Sequence, residues 1–557
     1  MDKIWLKSYP EGVPHDIDMN RYASLKALME EAFERFPERP AFSNFGHAMS
    51  YAELDRESAA LGAYLCGELG LKKGDRVALV LPNILQFPVA LCAVLRTGLV
   101  AVNFNPLYTA HEMQGQLGDS GARVAIVMEN FAHTLEKALP GTAVEHVIVT
   151  RIGDLLPGFK GRLINFGNKY IKHNVSAWHI DGQRRFRDCI ANDKADLPEV
   201  ALDHSSLAFL QYTGGTTGTP KGAELTHGNL VANVLQLNAW VGKLFTPGEE
   251  AMITALPLYH IFSLTVNALF MMHFGGENVL ITDPRDIPGF IKILKRTRWT
   301  AITGVNTLYN ALLNRSGFTR LDFSQLRFAL GGGMAVQRVV AERWKKTTGI
   351  PLIEGYGLTE TSPVVSANPL TITDYSSSIG LPLPATDISI RDDDGKELGI
   401  GEEGELCVRG PQVMRGYWQY EDETKKAMSE DGYFRTGDIA RVDESGLIYL
   451  VDRKKNMIVV SGFNVYPNEV EDELARMPGI AEVAVIGIPD EHSNEAVKAF
   501  VVRRDPGLTE DAIISFAREN LTRYKVPKHV EFREELPKSN VGKILHRALR
   551  DEKQGPS

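Results

Sequence analysis

Short runs of β-branched and apolar residues alternate with longer amphipathic runs through most of the chain. Apolar Leu54, Ala59 and Leu65, for example, recur among charged side chains as they do on one face of a helix. The β-branched runs predict strands at residues 76–81, 123–128, 146–150, 251–255 and 300–303. Because strands that alternate with helices usually form parallel sheets, this pattern predicts an α/β fold.

The pattern changes after about Gly380, where glycine-containing turns separate short strands and indicate a β-rich section. A small α+β unit follows, with predicted helices at residues 467–476 and 510–522 and predicted strands at 482–488 and 497–503. A chain of 557 residues is too long for one hydrophobic core. We therefore predict a large N-terminal domain of mainly parallel sheets flanked by helices plus the β-rich section (residues 1–451), and a small mobile α+β domain (residues 452–557).

Charge and cysteine content narrow the class of protein. The formal net charge of −9 argues against a nucleic-acid binder, which needs an excess of Lys and Arg. The cysteines lack the paired spacing of zinc or redox sites, so a reducing cytoplasm is the simplest location. The apolar stretch at residues 258–274 contains polar side chains and ends at a glycine pair, which predicts a buried core helix rather than a membrane span.

The segment from Tyr212 to Gly222 carries the most specific pattern. Its glycines allow backbone N–H groups to converge on an anion, and its threonines add hydroxyl donors. Lys221 adds a positive charge and no acidic residue intervenes, so the segment suits a polyphosphate. It lacks the P-loop string, and a flexible surface turn is the alternative. The predicted phosphate-binding residues are Tyr212, Thr213, Gly214, Gly215, Thr216, Thr217, Gly218, Thr219, Lys221 and Gly222.

This segment resembles the phosphate loop of the adenylate-forming enzymes, which include acyl-CoA synthetases, adenylation domains of peptide synthetases and firefly luciferase. The resemblance covers nearly the whole chain and is greatest to bacterial long-chain fatty-acid–CoA ligases. Residues 210–218, 255–262, 301–308, 460–469 and 536–545 carry it. It implies ATP, Mg²⁺ and coenzyme A as cofactor and co-substrates, and a long-chain fatty acid as the substrate.

Further nucleotide contacts follow from the resemblance. Residues 355–361 resemble the second nucleotide motif, in which Tyr356 would stack on adenine and Thr359 would donate to the α-phosphate. Glu360 is a hard oxygen ligand suited to Mg²⁺. The implied ATP-binding residues are Gly333, Gly355, Tyr356, Gly357, Asp438 and Arg453. The alternatives are ordinary turns and solvated side chains.

The resemblance also implies roles in the chemistry and in domain motion. Lys543 would be the catalytic lysine of adenylation, and His260 would line the acyl and thiol pockets as a positioning group. Asp452 would be the pivot between the domains, and Ser461 and Gly462 would border coenzyme A. The predicted catalytic set is Lys543, Glu360, Thr359 and His260. A satisfied core histidine and a solvated surface lysine are the alternatives.

A basic segment at residues 159–187 is not part of the family motifs and indicates a possible contact with a membrane. It is rich in Lys and Arg, and Leu163, Phe166, Tyr170 and Ile171 recur at helical spacing. Such a helix can lie on an anionic membrane, and packing on the enzyme's own surface is the alternative. The segment is therefore compatible with a peripheral location of the enzyme on the inner face of the cytoplasmic membrane. Independently of this segment, a homodimer is a further possibility.

Taken with the resemblance, these motifs predict a long-chain fatty acid–CoA ligase. The acid would be activated by ATP as acyl-AMP and transferred to coenzyme A, with release of AMP and pyrophosphate, for fatty acid uptake and degradation. A ligase that charges a carrier protein, or one that forms medium-chain or aryl thioesters, is one alternative. A non-catalytic lipid or nucleotide binder is another, although the catalytic motifs are present.

Overall fold

The fold was analysed in a computed structural model that describes residues 3–192, 197–213, 220–453, 456–461, 463–490, 493–539 and 542–552, apart from the side chain of Arg453. Strands in these ranges form four sheets. Two large sheets share a hydrophobic core in the N-terminal part of the chain. The helix Gln86–Arg96 contributes to this core and is buried at every position. Its sequence is apolar between Gln86 and Arg96, and these two polar side chains form hydrogen bonds.

The first large sheet is parallel except at one edge, where its last two strands form an antiparallel hairpin. Its strands, in spatial order, are Arg184–Arg185, His146–Thr150, Val124–Met128, Arg76–Val80, Val100–Asn103, Leu207–Thr213 and Lys221–Thr226. The second large sheet is parallel at its centre and antiparallel at both edges. Its order is Leu381–Pro382, Val364–Ala367, Ile353–Gly357, Phe328–Gly331, Ala301–Gly304, Ala251–Thr254, Glu277–Leu280, Pro40–Asn44 and His47–Ser50.

The two smaller sheets lie in the C-terminal third of the chain. The first is antiparallel and consists of Asp387–Arg391, Gly404–Arg409, Phe434–Val442 and Ile448–Arg453. The second belongs to the α+β unit and consists of Phe463–Val465, Ile458–Val460, Asn494–Arg503, Ile480–Asp490 and His529–Arg533. The unit has a hydrophobic core of its own, which supports its prediction as a separate small domain.

Helices connect the strands and cover the sheets. The α-helices before residue 250 are Leu25–Arg35, Tyr51–Gly67, Gln86–Arg96, Ala110–Ser120, Ala132–Ala138, Gly158–Phe166, Phe186–Cys189 and His227–Val241. Those after it are Ile261–Ser263, Phe270–Phe274, Ile287–Arg296, Asn306–Leu313, Ser316–Thr319, Arg338–Thr348, Glu421–Ala427, Pro467–Ala475, Glu510–Asn520 and His546–Asp551. Two short π-helices, Gly167–Ile171 and Leu264–Leu269, extend the α-helices beside them.

Most predicted elements are present at nearly the predicted bounds. The strands at 76–81, 123–128, 146–150, 251–255 and 300–303 each match an observed strand to within one residue at either end. The stretch at 258–274 is helical from Ile261 and is buried over nearly its whole length, as predicted. In the described ranges, no helix is long and apolar enough to cross a membrane.

The prediction of one amphipathic helix over residues 159–187 is wrong. The helix that begins at Gly158 ends at Ile171. Arg184–Arg185 forms an edge strand beside His146–Thr150, and a separate short helix begins at Phe186. Arg187 donates from Nε to the carbonyl oxygen of Asp154 at 2.6 Å. The basic residues at the end of the segment therefore do not share a face with Leu163 and Phe166, because tertiary pairing interrupts the helix.

Candidate active site

The polyphosphate segment is framed by the antiparallel hairpin at the edge of the first sheet. Tyr212 lies opposite Gly222, and Thr213 lies opposite Lys221. The connecting residues Gly214, Gly215, Thr216, Thr217, Gly218 and Thr219 lie outside the described residues. The hydroxyl of Tyr212 donates to the carboxylate of Asp119, which fixes this end of the hairpin. The predicted donors Thr213 and Lys221 thus lie side by side on neighbouring strands of this hairpin.

Tyr417 stands between the phosphate segment and the predicted metal ligand. Its hydroxyl donates to Oε1 of Glu360 at 2.8 Å. Nζ of Lys221 lies 5.3 Å from the centre of its ring, within the range of a cation–π contact. Lys221 also pairs with Glu423, and Lys221 and Lys426 together lower the pKa of Glu423 to about 2. The cation and the carboxylate predicted to face the nucleotide are therefore both held by one tyrosine.

Two glycine segments meet at the predicted adenine side of the site. A Cβ added at Gly332 would lie 3.1 Å from the carbonyl oxygen of Gly355, so a larger residue would push these backbones apart. Gly333 adopts a φ of 75°, a conformation that favours glycine. Gly357 approaches the backbone of Pro363 so closely that a Cβ there would lie 2.0 Å from its carbonyl oxygen. Glycine at these positions therefore lets the two segments approach each other closely.

Tyr356 and Asp438, predicted as the adenine and ribose contacts, are brought together. Tyr356 lies next to the end of the strand Ile353–Gly357 in the second sheet, and its hydroxyl donates to Oδ2 of Asp438 at 2.6 Å. Arg453 lies directly opposite Asp438 in the strand pair of the small antiparallel sheet, while its side chain is outside the described part of the chain. A carboxylate placed next to an aromatic ring suits a nucleoside, because the ring stacks on the base and the carboxylate accepts from sugar hydroxyls.

Thr359 and Glu360 lie on the short 3₁₀ turn Thr359–Thr361, directly after the strand that carries Tyr356. Glu360 is 9% exposed, and its carbonyl oxygen accepts from the backbone N–H of Met414 at 2.7 Å. The bond from Met414 holds the backbone of Glu360, and the hydroxyl of Tyr417 holds its carboxylate. In the described ranges, no group of three His, Cys, Asp or Glu residues could hold a metal. A single carboxylate from the protein suits Mg²⁺, which keeps water and phosphate ligands.

The Lys543 loop of the small domain is docked against the large domain. The hydroxyl of Thr307 donates to the carbonyl oxygen of Gly542 at 3.0 Å, and Gly542 adopts a φ of 82°. The backbone N–H of Lys543 donates to Oγ of Ser539 at 3.1 Å, which closes the loop. A Cβ at Gly542 would lie 2.8 Å from Oγ1 of Thr307, so glycine is required for this close approach.

Lys543 also acts on His260 electrostatically. Burial, and secondly the positive charge of Lys543, lower the pKa of His260 to about 4. The imidazole is therefore neutral near pH 7, and its Nδ1 accepts from the backbone N–H of Phe262 at 3.3 Å. The structure thus brings together the predicted catalytic lysine and the predicted positioning histidine, which are far apart in sequence.

Asp452 and Ser461 lie where the small antiparallel sheet meets the small domain. Asp452 is 4% exposed in the strand Ile448–Arg453, and its Oδ2 accepts from the backbone N–H of Asn468 at 3.0 Å. This carboxylate therefore links the last strand of the small antiparallel sheet to the helix Pro467–Ala475 of the small domain. Ser461 is exposed, and its N–H donates to the carbonyl oxygen of Ser493 at 2.7 Å. Gly462 lies outside the described residues.

Sequence reasoning did not single out Tyr417, Glu423, Asp119 or Thr307. Tyr417 lies in the string Arg-Gly-Tyr-Trp at 415–418, where two aromatics follow a glycine, and this is a weak signal. Trp418 next to it donates from Nε1 to the carbonyl oxygen of Asp119 at 3.2 Å. These residues act through tertiary contacts, which spacing along the chain does not reveal.

Comparison with known sequences identifies the family. The profile of the AMP-binding enzymes matches residues 29–418, and that of the AMP-binding enzyme C-terminal domain matches residues 469–543. The chain belongs to the AMP-binding enzyme family. This membership confirms the resemblance drawn from the phosphate segment and the motifs that follow it.

Relatives of this AMP-binding enzyme match along its whole length. A long-chain-fatty-acid–CoA ligase of Escherichia coli O157:H7 is 56% identical, over 100% of this chain and 99% of its own. The ligase of the same name from Haemophilus influenzae is 50% identical, over 99% of each chain. ATP-bound MatB from Rhodopseudomonas palustris is 29% identical with a TM-score of 0.82, over 96% of this chain and 99% of its own. An anthranilate CoA ligase in complex with anthranoyl-AMP is 25% identical with a TM-score of 0.84, over 96% and 99%.

Proposed function

We propose that this AMP-binding enzyme is a long-chain fatty acid–CoA ligase that activates a fatty acid as acyl-AMP and transfers it to coenzyme A. The position of the Lys543 loop carries the proposal. The Thr307–Gly542 hydrogen bond and the effect of Lys543 on the pKa of His260 support delivery of a cation into a site that already holds Lys221 and Glu360. The relatives at 50–56% identity support fatty acid as the acid.

In the first step, the fatty acid carboxylate attacks the α-phosphorus of ATP and pyrophosphate leaves. Negative charge gathers on the oxygens in the transition state, so fixed cations and donors are the main catalytic device. Lys543 would neutralise the carboxylate and α-phosphate oxygens, and Thr359 would donate to the α-phosphate. Lys221 and Thr213 would hold the departing pyrophosphate. Tyr356, Asp438 and Arg453 would bind the adenosine.

Glu360 is the residue that would hold Mg²⁺. The ion supplies positive charge against the phosphate oxygens when bound. Tyr417 would orient the carboxylate through its hydrogen bond to Oε1. Since Mg²⁺ is usually bound by one or two carboxylates and by substrate phosphates, one fixed carboxylate suits an ion that binds together with ATP.

In the second step, the thiolate of coenzyme A attacks the acyl carbonyl of acyl-AMP, the bond from that carbonyl to the phosphate oxygen breaks, and AMP leaves. The small domain would rotate about Asp452, so that Lys543 leaves and residues 461–462 approach coenzyme A. This rotation must break the hydrogen bond between Thr307 and Gly542, which costs about 1 kcal/mol. A hydrogen bond of that strength is weak enough to break in each catalytic cycle. Neutral His260 would then gate the acyl and thiol pockets rather than act as a cation.

We further infer that the enzyme is cytoplasmic and docks on the inner face of the membrane, where fatty acids partition. Five large apolar side chains between residues 159 and 171 are each at least 54% exposed. This apolar patch consists of Phe159, Leu163, Phe166, Tyr170 and Ile171. Lys160, Arg162 and Lys169 lie in the same stretch and Lys172 follows it, and each basic residue near an anionic surface contributes about 1 kcal/mol. Such docking would be reversible and sensitive to salt.

Product analysis tests the reaction. Purified protein with ATP, Mg²⁺, coenzyme A and a long-chain fatty acid should release AMP and pyrophosphate and form the acyl thioester. Release of ADP and phosphate would contradict adenylation. A series of acids of increasing chain length in the same assay should show higher kcat/KM for the long chains. A maximum at short or aryl acids would contradict the fatty acid assignment while leaving the reaction class intact.

A further inference from the structure

A cleft of about 210 Å³ opens beside the apolar patch. Glu129 follows the strand Val124–Met128 directly, and Arg151 follows the neighbouring parallel strand His146–Thr150. The cleft therefore lies at the carboxyl edge of the first sheet, where α/β proteins commonly bind ligands. We call it the basic cleft; its walls include Glu129, Arg151, Arg162, Asn165, Lys169 and Tyr170.

Glu129 is the unusual member of the basic cleft. Its side chain is 2% exposed, and Oε2 lies 3.4 Å from Nε of Arg151. Its other oxygen, Oε1, is buried and accepts no hydrogen bond from the residues that the structure describes. Burial raises the pKa of Glu129, because Arg151 and Lys169 offset only part of the desolvation. A buried acceptor in this state favours a ligand that brings a positively charged donor.

The rest of the cleft favours an anion. Arg151, Arg162 and Lys169 line it against a single lining carboxylate, Glu129. Asn165 is fixed, since its Oδ1 accepts from the N–H of Gly153 at 2.7 Å and its Nδ2 donates to Asp154 at 3.2 Å. Arg162 and Lys169 are thus carried on helical turns that Asn165 anchors to the loop after the strand His146–Thr150. The cleft offers both signs of charge, with the negative one at the bottom and the positive ones around it.

We propose that the basic cleft binds the headgroup of a phospholipid that carries both a phosphodiester and a primary ammonium. Arg162 and Lys169 bind the phosphate, and Glu129 accepts from the ammonium. The acyl chains of the lipid stay in the bilayer beside Phe166 and Tyr170, whose side chains are 54% and 59% exposed. The proposal rests on the proposed membrane docking and adds a specific lipid class to it.

The charge arrangement favours such a headgroup over two simpler ligands. A purely anionic headgroup would set its charge against the carboxylate of Glu129. A headgroup with a quaternary ammonium brings no N–H to Oε1, which would keep its unsatisfied acceptor. Phosphatidylethanolamine carries both required groups and is the probe of choice.

Vesicle sedimentation of the full-length enzyme tests the proposal. Binding to phosphatidylcholine vesicles should rise about tenfold when phosphatidylethanolamine is added, which is the effect of one charge-assisted hydrogen bond. Glu129→Gln keeps the shape of the side chain and should abolish this difference. The variant should bind phosphatidylglycerol vesicles at least as well as the parent. Equal binding of the parent to both zwitterionic vesicles, or an unchanged preference in Glu129→Gln, would overturn the proposal.

Two further measurements separate the headgroup site from docking and from folding. Lys169→Gln should weaken binding of the soluble probe glycerophosphoethanolamine, measured by calorimetry, without any membrane present. If the parent binds this probe but no vesicle, the docking proposal fails and the headgroup site stands. If it binds vesicles through the apolar patch but not the probe, the headgroup site fails alone. Should Glu129→Gln not fold, the Lys169→Gln measurement decides, and unchanged probe binding would overturn the site.

Discussion

Residues 261–274 and residues 158–171 both join α-helical turns to a π-helical one, yet their side chains are distributed in opposite ways. The first stretch is buried at every position except His273. The second exposes the whole apolar patch. Burial of the first follows from its place beside the second large sheet and the site at His260. The second stretch lies at the edge of the first sheet, where only one of its faces meets the protein.

Polar side chains make the contrast clear. In the buried stretch, Thr265 donates to the carbonyl oxygen of Ser362 at 2.8 Å, and Asn267 accepts from Thr303 at 2.9 Å. In the exposed stretch, Asn168 is 7% exposed and donates to Asn130 at 2.9 Å, while Phe166 and its apolar neighbours point outward. A helix with its asparagines inward and its phenylalanines outward is typical of a surface that meets an apolar partner. Changes in the two stretches should therefore affect different properties.

The largest effect on catalysis is expected for Lys543, whose charge acts on His260 next to the buried stretch. Lys543→Ala should slow adenylate formation by about two to three orders of magnitude, the usual cost of losing one transition-state charge partner. Thioester formation from supplied acyl-AMP should be spared, because Lys543 would leave before that step. Pyrophosphate exchange and single-turnover thioesterification measure the two steps separately.

Lys538→Ala is the matched control for this variant. Lys538 lies in the same loop region and pairs with Glu482 at 2.6 Å, within the small domain. Its loss should change either half-reaction by less than about twofold, since exposed ion pairs contribute little. Equal losses in both steps for Lys543→Ala would assign Lys543 a structural role instead. Vesicle binding should be unchanged in both variants.

A buried polar group in residues 261–274 should control stability. Asn267→Leu removes the acceptor of Thr303 and the donor to Thr254, which lies 3.2 Å from Nδ2. The free energy of unfolding should fall by about 2 kcal/mol, because these two hydroxyls would stay buried with fewer partners. Urea denaturation measures it. Phe166→Ser, in the exposed stretch, should change the same quantity by less than about 0.5 kcal/mol.

This contrast also shows how far the sequence can be interpreted. Burial of 258–274 and the strands of the parallel sheets follow from runs of apolar residues, which are local signals. The end of the helix at Ile171 does not, because it depends on Arg184–Arg185 joining the sheet beside His146–Thr150. Tyr417 was missed for the same reason, since its contact with Glu360 joins positions 57 residues apart. The motif residues were found through a family resemblance, and their mutual contacts required the fold.

Tyr417→Phe should have an intermediate effect on catalysis. The variant keeps the ring beside Lys221 and removes only the hydroxyl that donates to Glu360. Adenylate formation should fall about tenfold, the value of one hydrogen bond to a charged group. The Mg²⁺ concentration for half-maximal rate should rise, because the carboxylate is no longer oriented. An unchanged Mg²⁺ dependence together with a lower rate would indicate that Tyr417 supports packing alone.

The histidine in the buried stretch should make stability sensitive to acid. Burial, with help from Arg21, lowers the pKa of His273 from 6.5 to about 4, against the opposing charge of Glu31. Between these pH values the unfolded chain binds a proton that the folded protein does not. The stability is therefore complete above pH 6.5 and falls as the pH drops toward 4, by at most about 1.4 kcal/mol per pH unit.

His273→Gln should remove this part of the acid sensitivity. The glutamine keeps a polar partner for the hydroxyl of Tyr22, which contacts Nδ1 at 2.9 Å, and it does not titrate. Unfolding free energies measured from pH 7 to pH 4 should fall less steeply in the variant. His227, with a pKa lowered to about 4 by burial, retains its own contribution in both proteins. Parallel curves for parent and variant would show that His273 is already protonated in the fold.

The smallest change in the stability of the folded protein is expected for substitutions in the exposed stretch. These substitutions are also the most direct test of the contrast between the two stretches. Phe166→Ser with Ile171→Ser removes two side chains that are 54% and 69% exposed, so unfolding free energy should change by less than about 0.5 kcal/mol. Activity on a short, water-soluble acid should stay at the parental level, because neither residue contacts the site. Binding to anionic vesicles should fall by about tenfold or more, since each buried apolar side chain contributes on the order of 1 kcal/mol. Ile400→Ser, which is 48% exposed and lies outside the apolar patch, should leave vesicle binding unchanged. If the double variant binds vesicles like the parent, or if it unfolds, Phe166 and Ile171 stabilise the fold and do not bind a membrane. The contrast between the two stretches would then have another cause.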